Sequence, residues 1–188
     1  MSEPRPIDIN MDLAAARAGQ PAAIGALILA HQRSVYSLAL RMLGARDLAE
    51  DLTQEVFMQM SESLHGIESN EHLEFWLRKV ATNRAIDQLR RRSRFEMTPI
   101  DDHEPMFGPV DHGDPLFQRH LEMHLAQLSP AARAVLLLRY QEDLDPTEIA
   151  RTLEIPVNTV KSHLTRSLDA MRHGLAGAGR EKREDKHR

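Results

Sequence analysis

One segment decides how this chain folds and what its surface can bind: Phe75-Trp76-Leu77-Arg78-Lys79-Val80-Ala81-Thr82-Asn83-Arg84-Ala85-Ile86-Asp87-Gln88-Leu89-Arg90-Arg91-Arg92-Ser93-Arg94. Its apolar residues recur at helical spacing and predict one buried stripe of Leu77, Val80, Ala81, Ile86 and Leu89. From Arg78 to Arg94 it carries seven Lys and Arg residues and a single acid, Asp87, in a chain of formal net charge −4. Such a local basic face is typical of a surface that binds a polyanion. The alternative is a solvated helix end whose arginines favour the C-terminal dipole.

The composition of the 188 residues favours an all-α protein. A hydrophobic content of 41% suffices for buried cores, while only 4% of the residues are aromatic, which indicates aliphatic helix packing. Cysteine is absent, so the chain has no disulfide framework, thiol nucleophile or cysteine-based metal site. No apolar run reaches membrane-spanning length, and the first residues lack a signal-peptide pattern. We therefore expect a cytoplasmic protein without membrane insertion.

The helix predicted before the basic segment has an acidic outer face. Its buried stripe repeats every four residues through Leu48, Leu52, Val56, Met60 and Leu64, and Gly44 marks the end of the preceding helix. The outward positions are mostly acidic: Asp47, Glu50, Asp51, Glu55 and Glu62. This face is suited to docking on a basic partner, although an ordinary solvated face has the same appearance.

Periodicity stops between Glu96 and Pro115, which divides the chain into two small helical domains. The interruption contains four prolines, six acids and no Lys or Arg, so it predicts a flexible acidic linker. The predicted organisation is a lead-in at 1–22 with a short helix near 12–18, a first domain at 23–94, the linker at 95–118, a second domain at 119–175, and a charged tail at 176–188, expected to be disordered after Gly177.

The second domain has the pattern of a helix-turn-helix. Ser129-Pro130 is a helix start, and Asp145 with Glu148 forms a capping box at the start of a second, short helix. A third helix follows Ile155-Pro156 and carries polar residues opposite its apolar stripe: Asn158, Thr159, Lys161, Ser162, Thr165 and Arg166. These residue types can contact base edges and phosphates, so we predict DNA binding. A plain three-helix protein-binding bundle is the alternative.

Together these segments resemble the extracytoplasmic-function (group IV) sigma factors of bacterial RNA polymerase. Three stretches carry the resemblance, namely residues 49–57, residues 76–92 and residues 155–162. They look like the family's polymerase-docking segment, its −10-melting segment and its −35-reading helix-turn-helix. The similarity extends over residues 23–94 and 119–174. It implies an alternative sigma factor that binds core polymerase and directs promoter-specific initiation, under the control of an anti-sigma factor.

The resemblance also implies a role for particular residues. The residues implied to contact the polymerase β and β′ subunits are Asp47, Asp51, Gln54 and Glu55. Contacts to the −10 element, including capture of a flipped base by the loop at 65–72, fall to His65, Ser69, Asn70, Asn83, Arg84, Asp87, Arg90, Arg91 and Arg92. Contacts to the −35 element fall to Asn158, Thr159, Lys161, Ser162, Thr165 and Arg166. His163 and Thr165 replace residues that are often larger or more basic in the family, which implies weaker phosphate anchoring.

Other readings of the sequence make different predictions. The segment 159–164 is also similar to LuxR-type regulators, but such a regulator would need an upstream receiver or ligand domain, and residues 1–94 lack its alternating strands. A sigma-like decoy for an anti-sigma factor would not need the arginine run. An enzyme or metal protein is suggested only by His120 and His124, which lack the glutamate of a zincin motif. We expect no catalytic activity, cofactor or metal.

Overall fold

The structure is a computed structural model that describes the backbone of residues 9–95 and 115–184. These residues form eight α-helices and one 3-10 turn, with no strand among them, which confirms the all-α class. The helices are α1 (Ile9–Arg17), α2 (Pro21–Leu43), α3 (Arg46–Ser63), α4 (Asn70–Phe95), α5 (Pro115–Gln127), α6 (Pro130–Tyr140), α7 (Pro146–Leu153) and α8 (Val157–Glu184), and the 3-10 turn (Leu64–Gly66) lies between α3 and α4.

Helix α2 is the centre of the N-terminal domain and packs against α1, α3 and α4. Leu27, Leu38 and Met42 of α2 are almost completely buried. The predicted stripe of α3 faces them, since every member except the half-exposed Leu48 is buried. Gly44 ends α2 in the left-handed conformation at φ 79° and donates its N–H to Leu40 O at 2.9 Å. The predicted helix end is therefore confirmed.

The predicted lead-in contributes to this core. Helix α1 begins three residues earlier than the short helix expected near residue 12, and α2 already begins at Pro21. Leu13 and Ala16 are buried in the same cluster as Ala23 and Leu27, because they occupy one face of α1 at helical spacing. Residues 9–22 thus form part of the domain.

The basic segment lies on α4, the second-longest helix of the described chain. Leu77, Ala81 and Ile86 are buried as predicted, whereas Val80 and Leu89 are only partly buried because they flank the stripe. The predicted start near Leu73 is three residues late, since Ser69 caps the helix and accepts the N–H of His72 at 3.1 Å. This cap extends α4 into the preceding loop.

Helices α6, α7 and α8 form the predicted helix-turn-helix. Ser129 Oγ accepts the N–H of Ala132 at 3.3 Å, and Asp145 accepts the N–H groups of Thr147 and Glu148 at 2.6 and 2.9 Å. The Glu148 carboxylate accepts the Asp145 N–H in return at 2.7 Å, which completes the capping box. The helices enclose a small core of Val135, Leu138, Leu144, Ile149, Ala150 and Val160.

The two domains pack directly against each other. Helix α6 contacts α2 and α4, and α7 contacts α4. Ala134 and Leu137 of α6 are buried in the same cluster as the N-terminal core, and the half-buried Leu153 packs against both clusters. We call this contact of α6 and α7 with α2 and α4 the seam.

Two further predictions concern the linker and the C-terminal tail. The linker residues 96–114 lie outside the described residues, and α5 already begins at Pro115. The expectation of disorder after Gly177 differs from the structure, in which α8 continues to Glu184, because Arg, Glu and Lys are good helix formers. Among the described helices, none is sufficiently long and apolar to cross a membrane.

The burial of α2 generates a test of the fold. Replacing Leu27, which is fully buried, with alanine should lower the free energy of unfolding by about 2–5 kcal/mol, through lost burial and the cavity left behind. The matched control is Leu29→Ala on the same helix, where the side chain is 64% exposed and a change within about 0.5 kcal/mol is expected. Urea unfolding measures both variants. Equal losses would contradict the assigned orientation of α2.

Candidate functional site

The outer face of α3 brings together the four residues predicted to contact polymerase. Asp47, Asp51, Gln54 and Glu55 are all exposed. Met58 lies on the same face, one turn after Gln54, and its side chain is 68% exposed. The sequence analysis missed Met58, although its spacing from Asp51 and Gln54 already placed it outside the buried stripe. The face therefore combines an apolar centre with an acidic surround, a composition common at protein interfaces.

Arg84 joins this face to the basic helix. Its guanidinium forms an ion pair with Glu55 and also donates to Gln59 Oε1, from Nε at 3.1 Å and from Nη2 at 2.8 Å. The sequence analysis assigned Glu55 to polymerase and Arg84 to DNA. In the structure the two residues contact each other, so the two predicted surfaces adjoin along α3 and α4.

The C-terminal half of α4 presents its positive charge to solvent. Arg90 and Arg91 are exposed, whereas Arg92 is half-buried and engaged in an interaction of its own. Asp87 is exposed and forms an ion pair with Arg90, with 3.7 Å between Oδ1 and Nη1. Asn83 is half-buried one turn before Asp87. Exposed guanidinium groups in this arrangement can bind phosphates along a strand.

The loop before α4 is held at both ends. Ile67 is buried, and Ser69 caps α4, so its hydroxyl is already occupied as an acceptor. The Glu71 backbone amide and, to a smaller extent, the Ser69 hydroxyl lower the pKa of the Glu71 carboxyl. His65 is exposed and Asn70 is half-buried. The loop is thus anchored by its apolar residue and its cap, and His65 and Asn70 flank these two anchors.

Helix α8 presents the predicted recognition residues on its outer face. All are exposed except Thr159, which is half-buried. Ser162 and Thr165 donate their hydroxyls to the carbonyls of Asn158 and Lys161 at 2.8 and 3.1 Å, which leaves their oxygens able to accept bonds from a base. Burial and the neighbouring Arg166 lower the pKa of His163, which favours the neutral imidazole. Lys161 and Arg166 therefore carry the positive charge of this face.

A shallow groove between α2 and α4 lies close to the seam. It is lined by His31, Ser34, Val35, Leu38, Glu74, Leu77 and Arg78. Partial burial lowers the pKa of His31 and raises the pKa of Glu142 in the α6–α7 connection. Both shifts favour neutral side chains, as expected where a domain contact excludes water. Within the described residues, no three His, Asp or Glu side chains are grouped as metal ligands.

Comparison with known proteins identifies the family. Residues 27–95 match the model described as Sigma-70 region 2, and residues 119–171 match Sigma-70, region 4. The chain is 31% identical over 169 residues to the ECF RNA polymerase sigma factor SigL of Mycobacterium tuberculosis, covering 87% of this chain and 95% of SigL. It is 33% identical over 156 residues to the ECF sigma factor SigE of Mycolicibacterium smegmatis, covering 80% of this chain and 60% of SigE.

Two solved structures share the fold. The sigma factor RpoE, solved with the anti-sigma factor NepR from Bartonella quintana, has a TM-score of 0.68 at 21% identity and covers 81% of this chain and 96% of its own. CnrH, solved with the cytosolic domain of CnrY, has a TM-score of 0.66 at 19% identity and covers 90% of this chain and 99% of its own.

The chain belongs to the extracytoplasmic-function family of RNA polymerase sigma factors. It is therefore an alternative sigma factor, a protein that binds core polymerase and directs promoter-specific initiation of transcription. A LuxR-type regulator has no counterpart of the region 2 match over residues 27–95, so that alternative is set aside.

Proposed function

We propose that this sigma factor acts in the cytoplasm through three surfaces, one for polymerase and two for promoter DNA. The outer face of α3 docks on core polymerase, α4 with its preceding loop opens and reads the −10 element, and α8 reads the −35 element. The observation that carries this assignment is charge segregation: in a chain of net negative charge, a cluster of exposed acids lies on the outer face of α3 and exposed arginines lie on α4. Polymerase and DNA therefore meet surfaces of opposite charge.

The α3 face is suited to a basic, partly apolar partner. Asp47, Asp51 and Glu55 supply negative charge that steers association, and Met58 supplies apolar surface that is desolvated on binding. Because Glu55 also holds Arg84, docking at this face would bring α4 to a fixed position beside the polymerase.

Strand opening is assigned to α4 and the loop before it. Flipping a base out of the duplex costs a few kcal/mol, which stacking and polar contacts must offset. His65, Asn70 and Asn83 offer polar contacts, and Arg90 and Arg91 are exposed for phosphates of the displaced strand. Ser69 acts here through the α4 cap, since its hydroxyl already accepts the N–H of His72.

Control by an anti-sigma factor is the second part of the proposal. RpoE, which shares the fold of this chain, was solved in complex with the anti-sigma factor NepR. A partner of this class would silence the chain by covering the surfaces assigned to polymerase or DNA. Purification of the chain with its native partners, followed by initiation assays with and without the bound protein, tests this part.

The decisive experiment is run-off transcription with core polymerase on a genomic promoter library. The chain should direct initiation at a defined set of promoters, and the variant Arg90/Arg91/Arg92/Arg94→Ala should lose most of that activity because phosphate contacts are removed. If the chain binds core polymerase but directs no initiation, the decoy that only titrates an anti-sigma factor becomes the better account.

The polymerase-docking face makes a separate prediction. Asp51→Lys should weaken binding to core polymerase by about tenfold, since it places like charges together at the contact. Asp169→Lys is the matched control, because it makes the same charge change at an exposed acid of α8, outside the assigned polymerase and DNA contacts. Fluorescence anisotropy of labelled chain titrated with core polymerase measures both affinities. Equal weakening by the two variants would argue for a general effect of charge in place of a docking face.

The predicted recognition helix, α8, leads to a further prediction. Lys161→Ala should weaken binding to a −35 duplex by about tenfold and reduce the slope of log affinity against log salt by about 0.9, the effect of one lost phosphate contact. Arg172→Ala removes a cation of the same helix three turns further on and should leave both quantities near wild type. Titrations at several salt concentrations distinguish the two. An unchanged slope for Lys161→Ala would remove this residue from the DNA contact.

A further inference from the structure

One arginine fastens the basic helix to the helix that carries the polymerase-docking face. The Arg84 guanidinium of α4 forms an ion pair with Glu55 through Nη1, and it donates to Gln59 Oε1 from Nε at 3.1 Å and from Nη2 at 2.8 Å. Glu55 and Gln59 are one turn apart and lie on the same row of α3. All three guanidinium nitrogens are therefore bonded to α3. The sequence analysis gave Gln59 no role.

The partners of Arg84 distinguish it from the cations that precede it on α4. Arg78 Nη1 lies 3.5 Å from Glu74 Oε2 of the same helix. Lys79 Nζ lies 2.6 Å from Glu154 Oε1, in the turn between α7 and α8. Both of these carboxylates are away from α3. Arg84 is thus the cation that connects α4 to the docking helix.

These bonds make Arg84 a poor contact for DNA. A phosphate would have to compete with Glu55 and Gln59 for the guanidinium, and it would meet the Glu55 carboxylate, whose side chain is 59% exposed. Arg90 and Arg91, about two turns further along α4, are exposed. Phosphates are therefore better bound by Arg90 and Arg91, and the sequence-based assignment of Arg84 to DNA is replaced by another role.

The bonds of Arg84 supply a direction that apolar packing lacks. Hydrophobic burial depends on area and has little directional preference. The buried residues of α4 on either side of Arg84 are the small Ala81 and Ala85, which let the helices approach closely. Hydrogen bonds weaken steeply when their distance or angle changes, and those from a guanidinium are strong. Three such bonds to one row of α3 therefore set the rotation and the height of α4 against α3.

We propose that Arg84 and Gln59 are positioning residues for promoter opening, which hold the strand-opening face of α4 in a fixed orientation relative to the docking face of α3. This inference rests on the proposed assignment of those two faces. The Arg84 side chain is 40% exposed, so the ion pair adds little to overall stability. A chain without these bonds should fold and dock on core polymerase but open the promoter slowly.

Methionine substitutions test the pair in the full-length chain, because they remove the hydrogen bonds and keep an unbranched side chain. Gln59→Met and Arg84→Met should each lower the rate of open-complex formation on a duplex promoter roughly tenfold, the effect of losing a hydrogen bond to a charged group. The double variant should be no slower than either single variant, since the two changes remove the same bonds. A fluorescent base analogue in the −10 element measures opening.

A second template isolates the opening step. On the same promoter with its −10 segment already unpaired, both variants should initiate at the wild-type rate, and their affinity for core polymerase should also be that of wild type. The matched control is Gln32→Met, at an exposed position of α2 outside the assigned contacts, which should behave as wild type on both templates. Urea unfolding establishes that each variant is folded.

Conservative variants separate positioning from a direct DNA contact. Gln59→Glu keeps an acceptor for the guanidinium and should open the promoter at close to the wild-type rate. Arg84→Lys keeps the charge but loses the planar set of donors, so it should stay slow. A phosphate contact would behave in the opposite way, because a lysine retains it and Gln59→Met does not affect it.

The outcomes separate this inference from the proposed function. A loss confined to Arg84→Met, restored by Arg84→Lys and accompanied by a salt slope of DNA affinity reduced by about 0.9, would make Arg84 a DNA contact and overturn the inference. Wild-type opening by both methionine variants would overturn it too, as would equal losses on the two templates or weaker binding to core polymerase. If the wild-type chain initiates on neither template, the proposed function fails instead.

Discussion

The arrangement of this molecule depends on how Arg133 is accommodated. A guanidinium withdrawn from water carries a large desolvation cost, which only well-placed acceptors offset. Its partners among the described residues are three carbonyls at helix ends and no carboxylate, and burial lowers its pKa without removing its charge. Because one acceptor belongs to α2 and two belong to α5, the same side chain fixes α5 against α6 within its own domain and holds that domain against the other.

Acidic and basic residues of this sigma factor lie on different helices, and the net charge of −4 does not show this separation. The outer face of α3 is acidic, the outer half of α4 is basic, and α8 carries Lys161 and Arg166 among neutral polar groups. Arg84 is the point where the first two surfaces meet, since it pairs with Glu55 and bonds Gln59. The surfaces proposed for polymerase docking and for strand opening are therefore adjacent, whereas the proposed −35 reader belongs to a separate domain.

Features determined by neighbouring residues could be predicted from the sequence. The cap at Ser129, the capping box of Asp145 and Glu148, and the left-handed end of α2 at Gly44 are local chemistry, and all are present. The seam could not be predicted in this way. In sequence, Arg133 is one cation within an alanine- and leucine-rich helix, and nothing near it shows that its acceptors include Met42, 91 positions away. Lys79 was likewise predicted as part of the basic face, because its partner Glu154 is 75 positions away. The spacing of Met58 placed it outside the buried stripe, but its residue type alone did not indicate a contact surface.

The turn of the helix-turn-helix is a position at which the contact between the two domains can be changed by one substitution. Glu154 adopts the left-handed conformation at φ 55°, a geometry that glycine or asparagine occupies with less strain. The backbone of the turn thus tolerates its replacement, and what the glutamate adds is a carboxylate beside Lys79. A substitution at this position therefore removes one ion pair between the domains while the DNA-reading surface and both cores stay unchanged. The same substitution leaves the polar residues of the outer face of α8 untouched, so contact between the domains and the predicted −35 contacts can be varied independently.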